Sequence, residues 1–141
     1  MKIRQDQLGQ TLSQGLASCY LVSGDDPLLL MEACDEIRAA VKHQGIEERE
    51  LFHAESGFEW RNLLEEASAM SLFASRRLLE LRIPNGKPSD KGSAIKELAE
   101  NPSPDNVFLI ICPRLDAKTQ KTAWYKAVEK HGVVLPIWPI D

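Results

Sequence analysis

Phosphate chemistry is the first possibility this sequence raises. The apolar run Cys19-Tyr20-Leu21-Val22 ends at Ser23-Gly24, and Asp25-Asp26-Pro27 leads into a helical pattern. Strand, glycine and helix in that order can cradle a phosphate. The chemistry needs GxxxxGK[ST]: glycines for close backbone approach, a lysine on the phosphates, a hydroxyl on magnesium. Here Gly24 is followed by Asp25, Asp26, Pro27, Leu28, Leu29 and Leu30, with no lysine or hydroxyl where the motif requires one. Two aspartates at the mouth would repel a phosphate, and Pro27 removes an N–H donor. Gly86-Lys87-Pro88-Ser89 pairs glycine and lysine near a serine, but it follows the wrong strand, and Leu81 stands where the first glycine should be. GxGxxG is absent. A magnesium-binding acid would follow a long apolar strand. The best such strand ends Cys112-Pro113-Arg114-Leu115, and the next residue, Asp116, reads as a helix cap.

Other catalytic constellations are missing. His43, His53 and His131 lie in different elements, with no HExxH or HxxxH pair. Serine and cysteine residues lack a nucleophile elbow. Cys19, Cys34 and Cys112 form no CxxC, so zinc knuckles and thioredoxin-like sites are not indicated. Free buried thiols in a reducing cytosol are expected. Asp35-Glu36 and Glu47-Glu48 read as solvated charges. No enzyme, cofactor or metal is expected. Lys118, Lys121, Lys126 and Lys130 fall on the last predicted helix, with Arg114 before it. They read as a solvated face, with weak phosphate or partner contact as the alternative, and duplex DNA should bind weakly and only at low salt.

What remains is recognition. Met70-Ser71-Leu72-Phe73-Ala74-Ser75 joins a helical pattern to a strand, where a connection should be small and polar. Leu72-Phe73 is instead a large aliphatic beside an aromatic, the type of anchor that fills a partner's pocket. From the residues alone, the pair either does that or closes the domain core.

Composition allows either. The 141 residues suffice for one domain with a real core, and 43% apolar with 27% charged is ordinary for a globular chain. A net charge of −4 argues against a dominant nucleic-acid footprint. The N-terminus lacks the apolar core of a signal peptide, and no run is long enough to span a membrane.

The elements that must position these residues follow from periodicity. Leu8, Leu12 and Leu16 suit a short amphipathic helix. Cys19-Val22 reads as a buried strand. Asp26 caps the next helix, Pro27 opens it, Leu29, Ala33, Ile37, Ala40 and Val41 line its buried side, and Gly45 ends it. Glu50-Ala54 is a weaker strand. Trp60, Leu63, Leu64 and Ala67 recur at helical spacing. Leu78-Ile83 is a strand, Ile95, Leu98 and Ala99 mark a helix, and Val107-Cys112 reads as a central strand covered on both faces. Asp116 is expected to cap a last helix with Ala123, Trp124, Ala127 and Val128 inward, before a strand at Val133-Leu135. Alternating strands and helices predict an α/β, three-layer fold. Its five-stranded sheet would be mostly parallel, with helices on both faces. Trp138 and Ile140 look unhoused, as if leading into a further domain of a longer protein.

Three stretches then carry a resemblance. Tyr20-Leu21-Val22-Ser23-Gly24-Asp25-Asp26-Pro27-Leu28-Leu29-Leu30, Ala69-Met70-Ser71-Leu72-Phe73-Ala74-Ser75-Arg76 and Asn106-Val107-Phe108-Leu109-Ile110 resemble the N-terminal domain of the bacterial DNA polymerase III delta subunit. Ala123-Trp124-Tyr125 also fits the family's pattern. The resemblance spans residues 1–141 in order and implies an AAA+-like (P-loop NTPase-like) N-terminal domain without a functional P-loop. It implies a non-catalytic, cytoplasmic clamp-loader subunit that opens the sliding clamp. The clamp-binding element falls on Met70, Ser71, Leu72 and Phe73, with Leu72 and Phe73 entering the clamp's pocket. Ala69 stands where clamp-binding peptides often begin with glutamine. Implied partners are the sliding clamp (beta subunit), the gamma/tau and delta prime subunits, and DNA indirectly through the complex. The competing classes are an ATP-binding AAA+ subunit and a generic adaptor whose Leu72-Phe73 pair is core.

Overall fold

The computed structural model describes residues 1–68, 76–103 and 105–138. Five strands alternate with helices: β1 (Cys19–Ser23), β2 (Glu48–His53), β3 (Arg77–Arg82), β4 (Asn106–Cys112) and β5 (Val133–Pro136). The helices are α1 (Leu8–Ser13), α2 (Pro27–His43), α3 (Trp60–Ser68), α4 (Ser93–Glu100) and α5 (Ala123–His131). The sheet runs β2-β3-β4-β1-β5 and every pairing in it is parallel. β4 lies between β3 and β1, which is why its run shows no polar alternation.

Successive side chains of each strand go to opposite faces. Leu21, Leu79, Leu81, Phe108 and Ile110 pack on one side with Leu63 and Ala67 of α3, Ile95 of α4 and Val128 of α5. Tyr20, Val22, Leu78, Val107 and Leu109 pack on the other with Leu8 of α1 and with Ala33, Ile37 and Val41 of α2. The result is the expected three-layer α/β fold.

Local chemistry sets the helix ends. The Asp26 carboxylate accepts from the N–H groups of Leu28 at 3.0 Å and Leu29 at 3.1 Å. Such a cap stabilises a helix by about 1 kcal/mol. Gly45, at φ 86°, turns the chain out of α2 and donates to Lys42 O at 2.9 Å.

Asp116 departs from its expected role. It accepts from the Thr119 N–H at 2.7 Å and holds a 3₁₀ turn, Thr119–Lys121. Thr122 is then extended (φ −72°, ψ 157°), so helical geometry restarts only at Ala123. Ala123 is exposed, while Trp124, Ala127 and Val128 are buried.

The loop into α4 is seated on an aromatic. Lys91 (φ 62°) and Gly92 (φ 81°) are both left-handed. A Cβ at Gly92 would overlap the Trp124 side chain. Gly92→Ala therefore combines left-handed strain with overpacking and is expected to cost about 2–3 kcal/mol. An unchanged urea midpoint would show that Trp124 yields freely.

Candidate functional site

Met70, Ser71, Leu72 and Phe73 lie outside the described residues. Their flanks are described. α3 leads in, with Leu63 and Ala67 buried and Leu64 half-buried. Trp60, at its start, donates its indole N–H to Ser89 Oγ at 2.7 Å and meets Phe58 edge-on at 4.9 Å between ring centroids. β3 leads out, beginning at Arg77.

The last turn of α3 is held by the sheet. Its late carbonyls have no partners within the helix. The Arg77 guanidinium donates to Glu66 O at 2.6 Å and also pairs with the Glu66 carboxylate. The Asn106 amide donates to Ala67 O at 2.6 Å. The Arg77 N–H donates to Asp105 O at 2.8 Å. A cation on these carbonyls also complements the helix dipole. The described residues on either side, the last turn of α3 and Arg77, are thus anchored at the N-terminal end of the strands. A groove of about 240 Å³ opens beside them, lined in part by Leu64, Leu98 and Phe108.

The opposite edge holds the first candidate. After β1, Gly24 donates to Cys112 O at 3.2 Å, and the Arg114 N–H donates to Asp25 Oδ1 at 2.9 Å. Ile137 lies against Gly24, where an added Cβ would approach its Cβ to 2.8 Å. Asp26 already occupies the first free N–H groups of α2. Trp138 is half-exposed, with the Arg114 guanidinium 4.6 Å above its ring, and Ile140 lies outside the described residues.

The remaining candidates stay apart. No three His, Cys, Asp or Glu side chains could hold a metal among the described residues. Burial pushes the Cys19 and Cys112 thiols up to about 12 and the Cys34 thiol to about 11, so none is a ready nucleophile. Lys118 and Lys121 belong to the 3₁₀ region and Lys126 and Lys130 to α5, so the four do not share one helix.

With this geometry in place, the profile of the DNA polymerase III, delta subunit family matches residues 20–137. The chain belongs to that family. It is 32% identical over 137 residues to the DNA polymerase III subunit delta of Escherichia coli (strain K12), covering 94% of this chain and 39% of the relative. The Haemophilus influenzae subunit is 29% identical over 130 residues, covering 92% and 38%. The chain therefore spans about two fifths of the length of these curated relatives. Among solved structures, the DNA clamp loader delta protein of Bacillus subtilis matches its fold with a TM-score of 0.69 at 20% identity, over 94% of this chain and 42% of that one. No helix among the described residues is long and apolar enough to cross a membrane.

This delta-family chain also contains a charge cluster that its sequence pattern hides. Glu80, on β3, has no exposed surface. Arg38 of α2 donates to it through Nε at 2.6 Å and through a terminal nitrogen at 3.0 Å. Arg49 of β2 donates at 2.9 Å, and Arg38 also reaches Asp35 at 2.8 Å. Burial alone would raise the Glu80 carboxyl. The hydrogen bonds and charges of Arg38, then of Arg49, outweigh it and hold the group below its usual range. The cluster ties α2 to the edge of the sheet. Arg77 and Asn106, which hold α3, are the other positions that periodicity passes over.

Proposed function

We propose that this chain is the N-terminal, clamp-binding domain of a clamp-loader delta subunit. In this reading it binds and opens the sliding clamp, so that the ring can be loaded on primed DNA. Leu72 and Phe73 enter a pocket on the clamp, and Met70 and Ser71 complete the contact. The carrying observation is the family match over residues 20–137, within which the Leu72-Phe73 pair falls. Its support is mechanical: Arg77 and Asn106 fix the last turn of α3, so an element mounted on it can transmit force to the sheet. The further partners are the gamma/tau and delta prime subunits, with DNA engaged through the complex. The setting is the cytoplasm. A pulldown with purified sliding clamp tests the reading, and failure to retain this chain would reject it.

The domain is proposed to be non-catalytic, without a working P-loop. The carboxylate of Asp26 sits on the α2 N–H groups that a phosphate would need, and Ile137 crowds Gly24. Titration calorimetry with ATP and magnesium at physiological salt is expected to register no specific binding. Stoichiometric binding with a micromolar constant would instead favour a nucleotide-binding loader subunit.

A further inference from the structure

A cleft of about 420 Å³ opens between the loop after β3 and the turn that follows β4. Lys87 and Lys91 line it from the first, Lys118 from the second, and the Trp124 indole closes its base. One carboxylate, Asp116, shares it, so three lysines less one acid leave two positive charges, in a chain of net charge −4. All three lysines are exposed, and none forms a salt bridge among the described residues.

Both walls are hydrogen-bonded turns. Lys91 is the one non-glycine residue with positive φ among the described residues. Asp90 fixes it there by accepting from the Gly92 N–H at 2.8 Å and the Ala94 N–H at 2.9 Å. A strained backbone persists only where its surroundings over-determine it, and such residues cluster at ligand clamps. Across the cleft, Asp116 spends its carboxylate on the Thr119 turn. The turns that carry Lys91 and Lys118 are therefore held by hydrogen bonds before any ligand arrives, which lowers the ordering cost of binding.

We propose that this cleft binds a phosphate-bearing ligand, with Lys87, Lys91 and Lys118 as its contacts. Lysine binds phosphate as a point charge. Three ammonium groups from two loops suit several phosphate charges better than a single carboxylate. Two sources share this chemistry, a free polyphosphate and the backbone of a nucleic-acid strand. The site follows the C-terminal ends of the strands, whereas residues 69–75 precede β3, so it stands independently of the clamp reading.

The test uses the 141-residue chain with two probes, inorganic tripolyphosphate and a fluorescein-labelled thymidine oligonucleotide. Amide NMR shifts at Gly92 and Thr119 follow the first, and anisotropy follows the second. Three phosphate contacts on a single strand predict about a twentyfold loss of affinity between about 25 and about 100 mM salt. The triple variant Lys87→Gln, Lys91→Gln, Lys118→Gln is expected to abolish binding of whichever probe binds, while Lys126→Gln with Lys130→Gln leaves it unchanged. Lys91→Gly suits the left-handed backbone and removes one contact, so the salt effect should fall to about sevenfold without loss of fold. Tripolyphosphate binding alone assigns a free ligand, and oligonucleotide binding assigns a strand. The proposal is overturned if neither probe binds at the lower salt, or if the Lys126, Lys130 variant loses as much as the triple variant.

Discussion

Phe73→Ala is expected to weaken binding to the purified sliding clamp by roughly thirtyfold or more, and Leu72→Ala by a similar factor. An apolar anchor in a partner's pocket costs about 2 kcal/mol or more when truncated. Each 1.4 kcal/mol is about tenfold in affinity. The competing adaptor reading makes the opposite prediction for the free chain. Were Phe73 part of the core, truncation would cost roughly 3–5 kcal/mol of stability. As a recognition residue it should leave stability within about 1 kcal/mol of wild type. Clamp affinity and the urea midpoint, measured on the same variant, separate the two. Unchanged affinity with a collapsed midpoint would return the pair to the core.

The second large effect belongs to Glu80. Glu80→Ala leaves Arg38 without its main partner, in a position where the arginine side chain is only 20% exposed. Breaking a buried pair in this way costs about 3–5 kcal/mol. Replacing both partners, Glu80→Leu with Arg38→Met, should recover most of that loss, because a matched apolar pair carries no desolvation penalty. Arg49 is 46% exposed in its side chain and can turn to water. The pH dependence has a definite sign. The folded carboxyl sits below its ordinary value, so the pairing stabilises fully above the unfolded pKa of about 4.3. The stabilisation is lost as pH falls through the lower, folded value. Glu80→Gln keeps the shape and removes the titration, so its midpoint should fall less steeply than wild type below about pH 4. Parallel acid limbs for the two proteins would mean that Glu80 is not the group titrating there.

The sheet and its order of elements were legible because a parallel strand buried on both faces leaves an unmistakable run, as in Val107–Cys112. The α2 cap was legible because Asp26-Pro27 is local chemistry. What escaped was non-local. Glu80 looks like a polar break in Leu78-Leu79-Glu80-Leu81, and nothing nearby announces Arg38, 42 residues earlier. Asn106 and Arg77 reach carbonyls 39 and 11 residues away, at distances set only by the folded sheet. Asp116 misled for a different reason. It is a good cap, but an extended Thr122 separates its turn from α5. The proposed clamp-binding residues, Met70 to Phe73, were named by the resemblance and by the oddity of an apolar pair, not by any pattern that periodicity could supply.

The strand order has a consequence for how the polypeptide is born. β1 pairs with β4 and β5, so Leu21 waits for Ile110 and Val134. Ribosomes add about 5–20 residues per second, so Cys19–Ser23 goes without neighbours for roughly 4–18 s of translation. β2 and β3 can meet far sooner, since Glu50 and its partner Leu79 lie much closer in sequence than Leu21 and Ile110. The nascent chain therefore carries its first strand as an unpaired sticky edge until β4 has been made. α1 and α2, made on either side of β1 in the chain, can cover the Tyr20 and Val22 face of it in that interval.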